Sequence, residues 1–539
     1  MTNTIITPKN LNLLLAITIA LLTTGYLRLQ LASGLPEYDG GFYTFTCSYI
    51  YQFLTNAELT SGTPLLLYQF LTAWVYGLDI NQYITLRLID GVVAIAASII
   101  LFKVILKESG STLFTVILVT TLLIIMNDIE VIAFGFRNSI WAAYLPLFSA
   151  LLVWQNSTKE DKYSFYLIGG LVSLGVLFRE PFLPFFLLAT IAIYISYGWR
   201  ALVKYLIGAA VIGFSVVAVM LSFRGWDLFD LFDSYVRFSI GIAKIEWKFP
   251  LMILESFWFI FLTAIISITY LLKLYWGDKK LTNMNRFYFW LAVAVLPIIE
   301  YYSKLGLLYH FSNCLIGFAG LSAMGWKYIN INESKKTQAS AMMFIGILSL
   351  VVILPTLNEK IVQKNRIHTL SDASRWIKNI DAFRSKNTVE RSQIATVAKQ
   401  IYNYSREDST LSTSGYWSPV YPLTGLSVPL NNKLSEAPAF FLYDLRALAI
   451  FLDSDEDRLI QVIKDYRPTI IVVQPHIGLG ELSIPPIVEK TNLYEIIARV
   501  PPRFSYEDFF HTHKIQKIDP NVDAFGWMEA IVYRLKDFK

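Results

Sequence analysis

The chain has 539 residues, 55% of them hydrophobic and only 16% charged, with a mean hydropathy of +0.47. Soluble domains carry roughly 25% charged residues, so this composition describes a polytopic α-helical membrane protein. The net charge of +5 is modest and the basic residues fall in short segments between apolar runs, which gives nucleic-acid binding no support.

Cys47 and Cys314 stand far apart, without partners at metal spacing, so neither a disulfide framework nor a zinc site is implied. Lys9 precedes the apolar run Leu11 to Leu31. A run that matches the roughly 20 residues of a bilayer crossing, with more spans behind it, predicts an uncleaved first helix and not a signal peptide.

The next stretch, Leu35 to Arg87, carries Glu37, Asp39, Glu58 and Asp79 but no Lys or Arg before Arg87, and most of its other residues are aromatic or aliphatic. Such a connection is poorly solvated, which predicts amphipathic pieces lying along the membrane surface. Pro36 and the pair Gly40-Gly41 predict a tight turn that fixes Asp39 just outside the bilayer. A carboxylate held there could act as a general base on a hydroxyl or amide acceptor; a solvated acidic turn is the competing reading. Pro64 to Tyr76 is too short for a crossing and is read as interfacial.

Ten further apolar segments follow: Ile84 to Leu106, Ser111 to Met126, Ser139 to Trp154, Tyr163 to Leu177, Phe182 to Tyr197, Tyr205 to Phe223, Pro250 to Tyr275, Phe287 to Ser303, Tyr309 to Trp326 and Ala339 to Leu354. With the first they predict about eleven transmembrane helices. Alternate loops are short and basic, holding Lys9, Lys103 and Lys107, Lys159 and Lys162, Arg200 and Lys204, the group from Lys273 to Arg286, and Lys327 to Lys336. The positive-inside rule then puts the amino terminus in the cytoplasm, and the acidic loop and the tail after Leu354 outside. A second interfacial element is predicted at Trp226 to Phe238, where Asp227, Asp230 and Asp233 recur every third residue.

From about Thr356 the composition becomes that of a soluble α/β domain. Helical patterns cover Ser371 to Phe383, Val389 to Tyr404 and Asp455 to Asp465, and strand-like runs cover Thr469 to Gln474 and Met528 to Leu535. The organisation expected is a membrane domain over residues 1–355, with its first outer loop at 32–84, and an extracytoplasmic domain over 356–539.

Several basic residues stand at the predicted outer ends of spans: Arg87, Arg137, Arg179 in the sequence Phe178-Arg179-Glu180-Pro181, and Lys304 and His310 around a short outer loop. Cations at that depth snorkel, pair with acids or hold an anion, and lipid phosphate is the anion most available there. Pairing with Glu180 or Glu130 explains any one of them; the whole set opposes the positive-inside bias. Asp453-Ser454-Asp455 resembles the acid pair that holds a metal on a nucleotide-sugar, but it precedes a helical run, where acids favour the positive end of the dipole. His511 and His513 lack a third ligand at useful spacing, and no Gly-rich phosphate loop follows a strand.

The order of these features resembles the GT-C glycosyltransferases that use polyprenyl-phosphate sugars, a group that includes bacterial lipid A aminoarabinose transferases and protein O-mannosyltransferases. There a first helix is followed by an outer loop with an acidic motif near Tyr residues, two interfacial helices, the second opened by Lys-Pro-Pro-Leu or His-Pro-Pro-Leu, and an Arg at the next span. This chain has Asp39 with Tyr43, then Gly62-Thr63-Pro64-Leu65-Leu66, then Leu86-Arg87-Leu88. Thr63 stands where the family has a base or His, one proline is missing, and Gly40 follows Asp39 where the family can have Glu.

The resemblance implies a GT-C-type membrane domain in a bacterial inner membrane, with the tail in the periplasm. It implies transfer of a sugar from a polyprenyl-phosphate-linked donor to a lipid, glycan or protein acceptor, with inversion. Asp39 would be the catalytic base, and Glu37, Tyr43, Arg87, Arg137, Arg179, Lys304 and His310 would bind substrate. A nucleotide is unnecessary and no cofactor is certain; a divalent cation is left open, since Asp128, Glu130 and Asp227 could hold one but their spacing does not demand it. A lipid-linked saccharide flippase or other transporter, and a non-catalytic cell-envelope assembly protein, are the alternatives.

Overall fold

The computed structural model describes residues 8–28, 38–55, 67–78, 80, 82–127, 138–158, 160–179, 182–222, 251–276, 284–298, 311–362, 393–415, 417–430, 439–475, 482–502 and 528–538. A helix overlaps each of the eleven apolar segments. Helix α1 (Pro8–Ala20) continues through a π-helical turn (Leu21–Gly25) to Arg28. Helix α2 (Tyr38–Thr55) and the short α3 (Leu67–Thr72), which ends in a 3₁₀ turn (Ala73–Gly77), occupy the acidic connection. Then come α4 (Gln82–Ser109), α5 (Thr112–Met126), α6 (Asn138–Asn156), α7 (Ser164–Phe178), α8 (Leu183–Tyr197), α9 (Trp199–Ser222), α10 (Leu251–Trp276), α11 (Met284–Val295), α12 (Cys314–Asn332) and α13 (Lys335–Val362).

Five of the described helices are long and apolar enough to cross a bilayer by length and composition: Asn10–Arg28, Gln82–Ser109, Trp199–Val219, Phe257–Trp276 and Lys335–Pro355. Three shorter apolar helices, Thr112–Met126, Ser164–Phe178 and Leu183–Tyr197, lie among them. Local signals mark where these helices start and stop. Ser111 caps α5 by accepting from the Phe114 N–H at 3.4 Å, and Pro184 sits in the first turn of α8, where its missing N–H costs nothing. Helices α7 and α9 pack backbone to backbone. A Cβ at Gly169 would lie 1.9 Å from the Tyr205 carbonyl oxygen, and one at Gly208 would lie 2.0 Å from that of Tyr166. Close approach through small residues is how helices associate where lipid offers no hydrophobic drive.

The antiparallel order of the helices sorts their polar residues to two ends. At one end, Arg286 in the first turn of α11 lies 3.5 Å from Glu108 of α4, Gln155 of α6 donates to Glu108 at 3.1 Å, and Lys107 contacts Asn156. These contacts gather three of the basic connections at one end. At the opposite end lie Arg28 at the close of α1, Asp90 near the start of α4, Asn127 after α5 and Trp141 near the start of α6.

After residue 392 the chain forms α14 (Gln393–Tyr404), β1 (Leu411–Ser414), α15 (Val420–Thr424), a 3₁₀ turn (Ala439–Tyr443), α16 (Leu445–Phe451), α17 (Glu456–Tyr466), β2 (Ile470–Val473), α18 (Ile484–Lys490), β3 (Tyr494–Val500) and β4 (Ala530–Leu535). The sheet order is β1-β2-β4-β3. β1 and β2 are parallel, with Leu411 opposite Ile470, whereas β4 runs antiparallel to both β2 and β3. Every residue of β1 and β2 is buried, as strands covered on both faces require. The runs predicted as strands at Thr469 to Gln474 and Met528 to Leu535 contain β2 and β4. Asp455 accepts from the Arg458 N–H at 3.1 Å as the N-cap of α17, which is the dipole role expected of that acid pair.

One expectation is corrected. Asp39-Gly40-Gly41 is not a tight turn; it is the opening of α2, and the glycine serves a different purpose. A Cβ at Gly41 would stand 2.5 Å from both N and Cα of Pro419, so the glycine lets α2 press against the backbone of the carboxy-terminal half. Phe42 and Phe45 stack on Tyr443 at 4.9 and 5.7 Å, and Tyr49 meets Phe440 at 5.5 Å. Phe45 and Tyr49 thereby join the second hydrophobic core, which otherwise consists of residues from Ile394 to Tyr533. The first core, from Ala16 to Ile345, belongs to the helical bundle.

The predicted elements at Trp226 to Phe238 and Ser371 to Phe383 lie outside the described residues, as do Glu37, Arg137, Lys304, His310, Asp128, Glu130, His511 and His513.

Candidate functional site

The polar end of the bundle is organised by a charge pair that sequence reasoning missed. Arg28 Nη1 lies 2.9 Å from Asp90 Oδ2, and Arg28 Nε donates to Asn127 Oδ1 at 2.8 Å. The guanidinium also lies over the Trp141 ring, 5.4 Å from its centroid. Arg28 is 1% exposed and Asp90 0%. The network continues inward: Asn127 Nδ2 reaches Thr24 Oγ1 at 3.3 Å, and Thr24 shares a hydrogen bond with Ser98 at 2.9 Å. The π-helical turn contains Thr23 and Thr24, both buried. Arg28 and Asp90 each interrupt an apolar run, and an ionisable residue inside such a run calls for a named partner or function. That signal was present in the sequence.

Arg87 lies one helical turn before Asp90 and is 3% exposed, with its guanidinium 4.3 Å from the Tyr83 centroid. It is thus buried on the same helix as Asp90 and does not extend to solvent. Arg179 is also buried; it ends α7 in an extended conformation and accompanies Phe178, whose ring lies 6.3 Å from that of Tyr68. Tyr68 in turn lies within electrostatic reach of Asp90 and Arg28. Burial first, and then the Asp90 carboxylate, holds its phenol protonated well above the ordinary tyrosine value. Tyr68 of α3 therefore stands between Phe178 and the Arg28–Asp90 pair.

Helix α3 also joins this cluster to α2. Cys47 lies 3.4 Å from Thr72 Oγ1, the Tyr76 hydroxyl donates to the Thr44 carbonyl at 2.9 Å, and Cys47, Val75 and Leu86 form a small hydrophobic cluster. Burial pushes the Cys47 thiol up to about 12, partly offset by the Thr72 hydrogen bond. Asp39 lies eight residues before Cys47, about 12 Å along the helix axis, and helical spacing puts position 39 one turn before Tyr43. Tyr43 is partly buried, with its ring 5.4 Å from Phe42. Of the predicted site residues, Arg87 shares α4 with Asp90 and Arg179 follows Phe178, whose ring meets Tyr68 of α3, while Asp39 and Tyr43 lie on an element that abuts the same helix.

Among the described residues no group of three or more His, Cys, Asp or Glu could hold a metal ion. An apolar groove of about 380 Å³ runs between α7 and α9, bordered by Tyr166, Gly170, Leu174 and Val211. It lies toward the end of α7 remote from Arg179.

No family model matches the chain, and no curated protein matches it either.

Proposed function

We propose that the protein is a membrane glycosyltransferase that moves a sugar from a polyprenyl-phosphate donor to a lipid, glycan or protein acceptor. The observation that supports this reading best is a buried Arg87 one helical turn from Asp90 of the buried Arg28–Asp90 pair, at the end of the bundle opposite the basic connections. By the positive-inside rule that end faces away from the cytoplasm. In this reading the eleven apolar helices span a bacterial inner membrane, and the carboxy-terminal α/β domain stands in the periplasm.

The chemistry is a single displacement. Asp39 accepts the proton of the acceptor hydroxyl or amide as that atom forms its bond to the anomeric carbon. The bond from that carbon to the phosphate oxygen breaks, the configuration inverts, and polyprenyl phosphate leaves with both electrons. Arginines buried near the departing oxygen stabilise its growing charge more than they would in water. Arg87 and Arg179 take that role, together with Arg137, Lys304 and His310 from the same predicted side; Glu37 and Tyr43 border the acceptor. Energy comes from the sugar-phosphate bond, so no nucleotide is needed, and a divalent cation remains an open addition.

The test is transfer from a labelled polyprenyl-phosphate sugar in membranes carrying Asp39→Asn or Arg87→Ala. Loss of transfer at normal expression is expected. Unchanged transfer in both variants would reject the assignment in favour of a transporter or an assembly protein.

A further inference from the structure

Helix α3 carries two consecutive buried side chains whose polar atoms are unmatched. Gln69 is 1% exposed and Tyr68 4% exposed. Among the described residues, Gln69 Oε1, Gln69 Nε2 and the Tyr68 hydroxyl have no hydrogen-bond partner. A buried amide or hydroxyl left in this condition costs about 1–3 kcal/mol per group. Nearby hydroxyls on the same helix do find partners: Thr72 donates to the Tyr68 carbonyl at 2.8 Å and shares a contact with Cys47. On α3 the mismatch falls on Tyr68, which stands beside Phe178 and within electrostatic reach of the Arg28–Asp90 pair, and on its neighbour Gln69.

The chemistry of these groups narrows what they suit. A carboxamide offers donors and an acceptor on one planar group, and a phenol offers one of each. A phosphate presents only acceptors and a metal ion accepts only lone pairs, so either would match half of this set. A sugar hydroxyl both donates and accepts. We propose that Tyr68 and Gln69 are the sugar-recognising residues of this site, hydrogen-bonding the hydroxyls of a neutral hexose or pentose while the neighbouring arginines hold its phosphate. The assignment of the phosphate rests on the transferase reading; the assignment of the hydroxyls does not.

The experiment uses the full chain in lipid nanodiscs, as wild type, Gln69→Met and Tyr68→Phe. Each is titrated with bare polyprenyl phosphate, with the same carrier bearing one of a panel of hexoses or pentoses, and with short alkyl hexosides; thermal unfolding is recorded without ligand. The wild type should bind at least one sugar-bearing carrier more tightly than the bare one. Each variant should lose about 3- to 10-fold for that carrier, the worth of one neutral hydrogen bond, and keep its affinity for the bare carrier. Both variants should also unfold at a higher temperature than the wild type without ligand, because the unmatched polar atoms are gone.

Variants that bind the sugar-bearing carriers as tightly as the wild type would overturn the inference. So would equal weakening for bare and sugar-bearing carriers, or a wild type indifferent to every sugar-bearing compound. If alkyl hexosides bind in a Gln69-dependent manner while no polyprenyl phosphate binds at all, the sugar site stands and the transferase reading falls.

Discussion

Replacing Asp90 with Leu tests the pair that organises the polar end of the bundle. The substitution leaves Arg28 charged and 1% exposed, with its 2.8 Å hydrogen bond to Asn127 and its contact with Trp141 but without the Asp90 carboxylate. Breaking a buried pair from one side costs about 3–5 kcal/mol, and the surviving contacts with Asn127 and Trp141 favour the lower part of that range. Removing both charges together, in Arg28→Met with Asp90→Leu, should restore most of the loss, because an apolar replacement of a buried pair is often neutral or stabilising by about 1–4 kcal/mol. The assay is equilibrium unfolding of the purified chain in mixed micelles, run as a double-mutant cycle. Single-mutant effects below about 1 kcal/mol, or singles that add within about 0.5 kcal/mol, would refute the view that these charges compensate each other in a closed environment.

Two other predictions follow from the junction formed by α2. Gly41→Leu should push α2 away from Pro419, since the contact there is backbone and cannot swing aside; limited proteolysis should then cut between the two halves faster than in the wild type. Cys47 has a thiol raised from 9.0 to about 12 by burial, so it should resist maleimide at pH 8 in the folded protein and react once unfolded. Its linkage has a definite sign. The thiol contributes stability in full below pH 9, and this is lost as the pH rises from 9 toward 12, because the unfolded chain releases the proton first. A Cys47→Ala variant whose alkaline stability profile matches the wild type would contradict this.

The apolar helices were legible because length and hydrophobicity alone specify them. Every predicted apolar segment overlaps a helix, and three of the basic connections that sequence reasoning grouped together meet around Glu108. Less legible was anything that depends on what a residue packs against. Gly40-Gly41 reads as a turn by local propensity, yet the constraint on Gly41 comes from Pro419, 378 positions further along the chain. β1, with the sequence Leu-Ser-Thr-Ser, lacks the apolar alternation of a strand; its Ser412 and Thr413 hydroxyls donate to the carbonyls of Leu442 and Tyr443. Arg28 and Asp90 lay in plain view inside apolar runs, but only the fold shows that they face each other.

The sharing of Phe45 and Tyr49 with the carboxy-terminal core has a consequence for biosynthesis. About 340 residues separate Tyr49 from Ile394, the first residue of that core to follow it. At about 5–20 residues per second the ribosome takes tens of seconds to cover that distance. For that interval the aromatic face of α2 is made but has nothing to close against. A nascent chain halted before Ile394 should therefore recruit holding chaperones or bury that face in the lipid surface, and release it only when the distal core is complete.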